Sequence, residues 1–434
     1  MRFENINILI ISPFSPKWSN ISSLRWERLA KYLSKNNRVT LITSSFPESG
    51  FEKSFDIGNS YLIEIPLKFY AKNPYLNESN RILNNFPNKK TLLNQGLKSK
   101  LNPILEKLFP VSSGGMLYHD IFKYKNFIDE IIRNSKKTIL ITTYGPWFTL
   151  KIGNYFKKRY KNLIWLADFR DPSFDISSYK NTFFKSQTKK ILKKADAIIV
   201  VTKQMQKEYE KLVKKKVIFL PNGYDGDCMF NLNQHKTKRK EYLNISYTGS
   251  IYNEKREISY FVEALKLSKE KAPNINFTFS YAGKDYRIVS EEFSKRNLGS
   301  LLNNHGMLTR DEALNLQSVS DVLLLVVYTG ENPEEGKSIR TGKVYEYLAT
   351  DKPILVIGPK NWEMRDEIEC DGVSKVFEKN QTNEMADYII ELANKEKIEI
   401  NIQKRKEVLE RYLYRNLATE LEKEIENLLK QKEW

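Results

Sequence analysis

Two stretches in the second half of the chain carry residue types suited to a phosphate-bearing ligand. In "ISYTGSIYNEKRE", Gly249 and Ser250 directly follow an apolar strand pattern, and Lys255 and Arg256 come at the head of the next helical one. A glycine there lets a ligand approach the backbone, and helix N-terminal amides beside cations suit phosphate oxygens. The second stretch, "TGENPEEGKSIRTGKVYEYLATDKPILVIG", follows another apolar run. It is too long and polar for a minimal connector. Its glycines, Gly342 among them, and its cations Lys337, Arg340 and Lys343 suit a diphosphate. Glu346, placed in the first turn of a helix, suits both hydroxyls of a ribose. Each feature has a plainer reading: glycine commonly follows a strand, and a glutamate in a first helical turn offsets the helix dipole.

The first half offers a different set. "ADFRDP" puts Asp168, Arg170 and Asp171 after a buried strand. The aspartates either pair with Arg170 to build the loop, or one of them acts as a base or positions a hydroxyl. "TTYGPWF" offers Gly145 and Trp147 to an acceptor, with Arg170 expected to bind it beside them. His119, beside Asp120, is the histidine to test for catalysis; the plainer reading is an exposed or structural residue. "SPFSPKWSN", after the first strand, has no GxGxxG, which speaks against a dinucleotide-cofactor fingerprint there.

The elements that must position these residues alternate. "INILIIS", "RVTLITS", "TILITTY", "LIWLADF", "DAIIVVT" and "KVIFLPN" read as buried strands separated by amphipathic helices, which implies a parallel sheet covered on both faces. Residues 66–126 interrupt the rhythm with basic, aromatic, Pro- and Gly-containing sequence. They read as an insertion, either a helical cap or a membrane-interface face. A polar linker at 222–242 precedes a second alternating series: "LNISYTG", a helix over 254–271, "INFTFSYAG", a helix over 285–297, a turn over 305–317, "SDVLLLVVY" and a helix over 384–394. The tail 403–432 reads as one long charged helix. The expected organisation is thus two α/β, Rossmann-like, doubly wound parallel-sheet domains facing a cleft, at 1–225 and 240–402, with 403–434 returning toward the first.

Composition narrows the function classes. The chain has 434 residues, too many for one ordinary core. Two cysteines and three scattered histidines argue against a disulfide framework or a histidine-built metal site. No apolar run is long enough to span a bilayer. The net charge is +18, yet residues 1–230 hold 39 Lys/Arg against 19 Asp/Glu, so all the excess sits in the first half. Such a surface attracts phosphates, in anionic lipid, a lipid-diphosphate or nucleic acid; the plainer reading is a set of solvated lysine-rich faces. No RNA- or DNA-reading motif is visible, so nucleic acid is not the expected partner.

Together these stretches resemble a bacterial surface-polysaccharide glycosyltransferase of family 4, with the two-domain GT-B fold. "GKVYEYLATDKPILVIGP" resembles the donor-site segment of that family, "ADFRDP" its acceptor-domain segment, and "ADAIIVVTKQMQKEY", "FLPNGYD" and "ISYTGSIY" match in order. The resemblance implies that Glu346 binds the donor ribose and that Gly249, Ser250, Lys255, Arg256 and Lys343 meet the donor phosphates. The family's second glutamate, eight positions earlier, is Ser338 here, and the usual glycine pair of the first loop is missing. The implied activity is sugar transfer, of retaining type, from a nucleotide-diphosphate sugar to a saccharide or lipid-linked acceptor. It needs no cofactor and no metal, because cations and backbone amides meet the leaving diphosphate. The implied location is cytoplasmic, peripheral on the inner face of the membrane. A nucleotide-sugar epimerase of the same fold and a non-catalytic partner of another transferase are the alternatives.

Overall fold

A computed structural model describes residues 6–12, 21–45, 60–66, 125–144, 148–170, 182–226, 242–251 and 254–432. His119, Gly145, Trp147, Asp171 and almost all of the insertion 66–126 lie outside the described residues. The chain divides into two units, Met1–Pro221 with Leu417–Trp434, and Asn222–Asn416.

The first unit is a seven-stranded sheet in the order β3-β2-β1-β4-β5-β6-β7, all parallel. Its strands are β1 Asn7–Ile11, β2 Arg38–Ser45, β3 Ser60–Pro66, β4 Thr138–Thr143, β5 Ile164–Phe169, β6 Ala197–Val200 and β7 Lys216–Phe219. Every residue of β1, β4, β5 and β6 is buried. That is why these segments read as unbroken apolar runs. Helix α1, Ile21–Leu33, joins β1 to β2. Helices α2 Lys125–Arg133, α3 Phe148–Arg159, α4 Thr182–Leu192 and α5 Lys203–Val213 precede or follow β4, β5 and β6. One core joins Ile128, Ile132, Phe156, Trp165, Leu192, Met205 and Tyr209, so α2 to α5 lie on the same face of the sheet.

The second unit is a six-stranded parallel sheet in the order β10-β9-β8-β11-β12-β13. Its strands are β8 Leu243–Thr248, β9 Phe277–Ala282, β10 Leu302–Gly306, β11 Val322–Val326, β12 Ile354–Ile357 and β13 Lys375–Phe377. The helices are α6 Ser259–Lys271, α7 Tyr286–Lys295, α8 Arg310–Val319, α9 Pro333–Gly336, α10 Gly342–Leu348, α11 Arg365–Glu369, α12 Thr382–Asn394 and α13 Ile402–Glu410. The expected pair of Rossmann-like, doubly wound parallel-sheet domains is therefore what the chain forms. In each unit the strand order reverses beside its first strand, and the crevice beyond the carboxyl ends there is where such sheets take ligands.

Some elements differ from the sequence reading. The segment expected as a turn over 305–317 is mostly helix, because Thr309 and Glu312 form a capping box that starts α8 at Arg310. Strand β10 is polar, "LNNHG", because it is an exposed sheet edge. The tail is two helices, not one. Tyr224 inserts as a parallel bridge at Leu413, receiving an N–H from Tyr414 and donating its own to the Tyr412 carbonyl (3.0 Å). The chain then continues as α14, Tyr414–Lys432. From Leu417 onward α14 belongs to the first unit, where Glu422 accepts from Asn37 (2.7 Å), Glu424 pairs with Lys216, and Lys432 with Asp196 (2.6 Å).

Candidate functional site

The site of the second unit is built at the reversal between β8 and β11. After β8 the backbone turns at Gly249 with φ +133°, a region that side chains disfavour. The turn is held from below. Tyr281 donates its hydroxyl to the Gly249 carbonyl (2.9 Å), Tyr247 donates to the Ser250 carbonyl (2.9 Å), and Asp285 accepts from the Ile251 N–H (2.9 Å). Burial pushes the Tyr281 hydroxyl up to about 12, so it stays a donor at any ordinary pH. Gly283 lies so close that a Cβ there would overlap the Gly249 carbonyl.

Over this turn lies Lys343, the second residue of α10. A Cβ on Gly249 would collide with its Nζ and Cε. Its ammonium is 5.9 Å from the centre of the Tyr247 ring and makes no hydrogen bond or ion pair among the described residues. Burial holds its pKa below the ordinary lysine value. Arg256 pushes it the same way and Glu346 only partly opposes them. A lysine in that state is a cation lacking its anion.

Arg256 is placed by two stitches between the loops that follow β8 and β11. Its Nε donates to the Val327 carbonyl (3.1 Å), and the Glu257 N–H donates to Thr329 Oγ1 (2.9 Å). Lys255 projects into solvent and pairs loosely with Glu335 (3.4 Å). Helix α6 begins only at Ser259, so Lys255 and Arg256 sit in the loop before it rather than at its head.

Glu346 is the fifth residue of α10, which begins at Gly342, so it is beyond the first turn where the sequence reading placed it. Offsetting the helix dipole is thus a poor account of it, since that effect fades within the first turn. Its half-buried carboxylate meets Arg310 Nη1 at 3.0 Å, a partner that sequence reading missed because 310 fell within an expected turn.

Arg340 is a correction. Its side chain is 3% exposed, donates to Glu363 (3.1 Å) and lies beside the Tyr345 and Tyr412 hydroxyls. It braces the loop instead of facing the Lys343 ammonium. Ser338, eight positions before Glu346, is half-buried, while Glu334 and Glu335 are exposed and pair with Lys337 and Lys255.

In the first unit Asp168 is fully buried on β5. It accepts from Trp26 Nε1 (2.9 Å) and faces Arg25 Nη2 (3.6 Å), whose other donations go to the Leu220 and Pro221 carbonyls (2.7 and 2.6 Å). That corrects its reading as a base: the carboxylate ties α1 to the sheet and has no surface to offer a substrate. Arg170, one residue past β5, is half-buried. The Asp225-Gly226-Asp227 triplet has its first carboxylate 7% exposed and its last outside the described residues. Among the described residues no group of His, Cys, Asp and Glu is arranged to hold a metal, and no helix is long and apolar enough to cross a membrane.

No family model matches the chain, and no curated protein matches it. Solved structures do. Sucrose-phosphate synthase from Thermosynechococcus elongatus aligns over 98% of this chain and 100% of its own, with TM-score 0.62 and 13% identity. A structure described as trehalose-6-phosphate from E. coli bound with UDP-2-fluoro glucose aligns over 97% and 98%, with TM-score 0.63 and 12% identity. A trehalose-6-phosphate synthase studied for glycosyltransfer with retention aligns over 98% and 99%, with TM-score 0.60 and 12% identity. At these identities the likeness is one of fold.

Proposed function

We propose that this chain is a glycosyltransferase. The second unit holds a nucleoside-diphosphate sugar, and the first takes a saccharide or lipid-linked acceptor of cell-surface polysaccharide synthesis. The observation that carries this reading is the desolvated ammonium of Lys343 over the Gly249 turn, without a hydrogen bond or ion pair among the described residues and with Arg256 and Glu346 beside it. In the reaction the anomeric carbon–oxygen bond of the donor breaks, the acceptor oxygen bonds to that carbon and passes its proton to the departing phosphate oxygen, and the diphosphate leaves. The charge gathering on that diphosphate meets Lys343, Arg256 and, from the rim, Lys255. Glu346 accepts the ribose hydroxyls. Transfer proceeds with retention, as named for one fold neighbour, and without metal or cofactor. The enzyme works in the cytoplasm at the inner membrane face.

A thermal-shift panel of UDP-, GDP- and ADP-sugars tests the donor site. The matching donor at a hundredfold excess over its Kd is expected to raise the melting point by roughly 5–10 °C. No shift from any nucleotide would remove the reading. Activity in excess chelator is expected to be kept. Glu346→Ala is expected to raise donor KM on the order of 10- to 100-fold without lowering Tm; unchanged kinetics would dismiss the ribose role.

A further inference from the structure

The first unit gathers a row of exposed lysines along one edge of its sheet. In a parallel sheet each helix runs back against its strands, so the C-terminal turns of α2, α3, α4 and α5 and the connections 134–137, 160–163, 193–196 and 214–215 all gather at the amino-terminal edge. There stand Lys158, Lys161, Lys193, Lys194, Lys214 and Lys215, every one exposed and none in an ion pair among the described residues. The one acid in those four connections, Asp196, is taken by Lys157 (2.7 Å) and Lys432 (2.6 Å).

Lysines at helix C-termini also answer the helix dipole. The second unit is a control for that, having the same strand order and the same dipoles. Four of its corresponding bases meet acids, Lys271 with Asp387 (2.7 Å), Arg296 with Glu263 (2.7 Å), Lys395 with Glu391 (2.6 Å) and Lys295 with Glu292, while Lys269 bonds to the Ile275 carbonyl. The dipole therefore does not account for the six lysines left without an acid at the first unit's edge.

We propose that this lysine edge is a docking surface for an anionic lipid bilayer. Four helix ends side by side make a rim roughly 25–30 Å broad. Its free charges are all lysines, point charges without the fork that reads a particular phosphate. Among the described residues no exposed aromatic ring stands between them to stack on a base, since Tyr160 is half-buried and bonded to Asp129 (2.9 Å). Such a surface answers charge density rather than sequence. Docking by the amino edge leaves the carboxyl edge, where the sheet takes its ligand, a strand's length away. For the six residues of β5 that is roughly 20 Å from the headgroups. An acceptor anchored in the same bilayer is therefore reached at the outer end of a glycan already several sugars long. This last step rests on the proposed transfer reaction; the docking edge does not.

The test is sedimentation of the full chain with vesicles of phosphatidylcholine alone or with 30% phosphatidylglycerol, in low and moderate salt, without nucleotide. Binding is expected only to the anionic vesicles, weakening with salt. Lys161→Glu, Lys193→Glu and Lys215→Glu combined is expected to lower the partition coefficient about 100-fold or more, at roughly fivefold per lysine lost and further repulsion from each acid gained. Lys151→Glu, Lys203→Glu and Lys207→Glu combined changes net charge equally at the opposite ends of α3 and α5 and is expected to cost less than about fivefold. Circular dichroism checks that both fold. Equal losses in the two triples, no loss in the first, or no binding by the wild type would overturn the surface. So would loss of binding to a poly(U) oligomer with vesicle binding unchanged, which would make the edge a nucleic-acid site. Nucleotide-sugar binding without vesicles reports separately on the transferase reading.

Discussion

Lys343→Met is expected to cut kcat/KM about a thousandfold while making the protein more stable. The ammonium it removes is desolvated, has no acceptor among the described residues, and is pushed by Arg256, so the folded state carries its cost. Methionine fills the same volume without charge. Unfolding of the second unit is expected to rise by roughly 2–5 °C. Catalysis loses the cation nearest the Gly249 turn, and kcat/KM is expected to fall about 10³-fold. The pH dependence has a definite sign. The folded pKa lies below the ordinary 10.5. Below the folded value the group is charged in both states and its cost is present in full. Between the folded and ordinary values the unfolded chain binds more protons, so stability rises with pH, and Lys343→Met lacks that rise. An anion at the site restores the lysine's pKa, so nucleotide affinity falls as pH climbs through the lowered value. A variant that lost stability and kept its kinetics would show that Lys343 is a packing residue.

The legible parts of this chain are those where burial leaves one pattern. β1, β4, β5, β6, β11 and β12 are buried end to end, so their apolar runs announced the parallel sheets. Gly249, Lys343 and Glu346 were found because they follow apolar strand patterns, where open parallel sheets take ligands, and because "GKVYEYLATDKPILVIGP" resembles a known donor-site segment. Elements at an exposed edge, such as β10, gave no periodicity. Direction of side chains was not legible either. Arg340 and Lys343 are three residues apart and equally basic, yet the turn into α10 sends one beneath the loop to Glu363 and the other over Gly249. Asp168 resembled a site residue by neighbourhood, and only the contacts of Trp26 and Arg25 reveal its structural use.

Arg405→Met is expected to cost the second unit much of its stability, and it reaches the site from behind. Arg405 is 1% exposed, on α13, and every arm of its guanidinium is used. Nε and Nη2 donate to Asp371 (2.8 and 2.5 Å), Nη2 also to Ser374 Oγ (2.8 Å), and Nη1 to the Thr350 carbonyl just past α10 (2.8 Å). Asp371 is itself fully buried and accepts from the Val373 and Ser374 N–H groups (2.8 and 2.7 Å). Removing one partner of a buried pair leaves a stranded charge, and such losses run about 3–5 kcal/mol. The remaining donors to Asp371 put this one near the lower end, about 3 kcal/mol, or roughly 6–12 °C for a unit of this size. Arg405→Lys is expected to recover little, because an ammonium cannot serve Asp371 and the Thr350 carbonyl at once. Asp371→Ala is expected to cost more, since it also frees the 371–374 turn, whose Ser374 hydroxyl accepts from the Ile354 N–H of β12 (2.8 Å). Losing the Thr350 contact loosens the end of α10, the helix that carries Lys343 and Glu346. Donor KM is therefore expected to rise several-fold at temperatures where the variant is still folded. A melt within about 1 °C of wild type, or a lowered melt with donor KM unmoved, would separate the buried pair from the site it is here said to support.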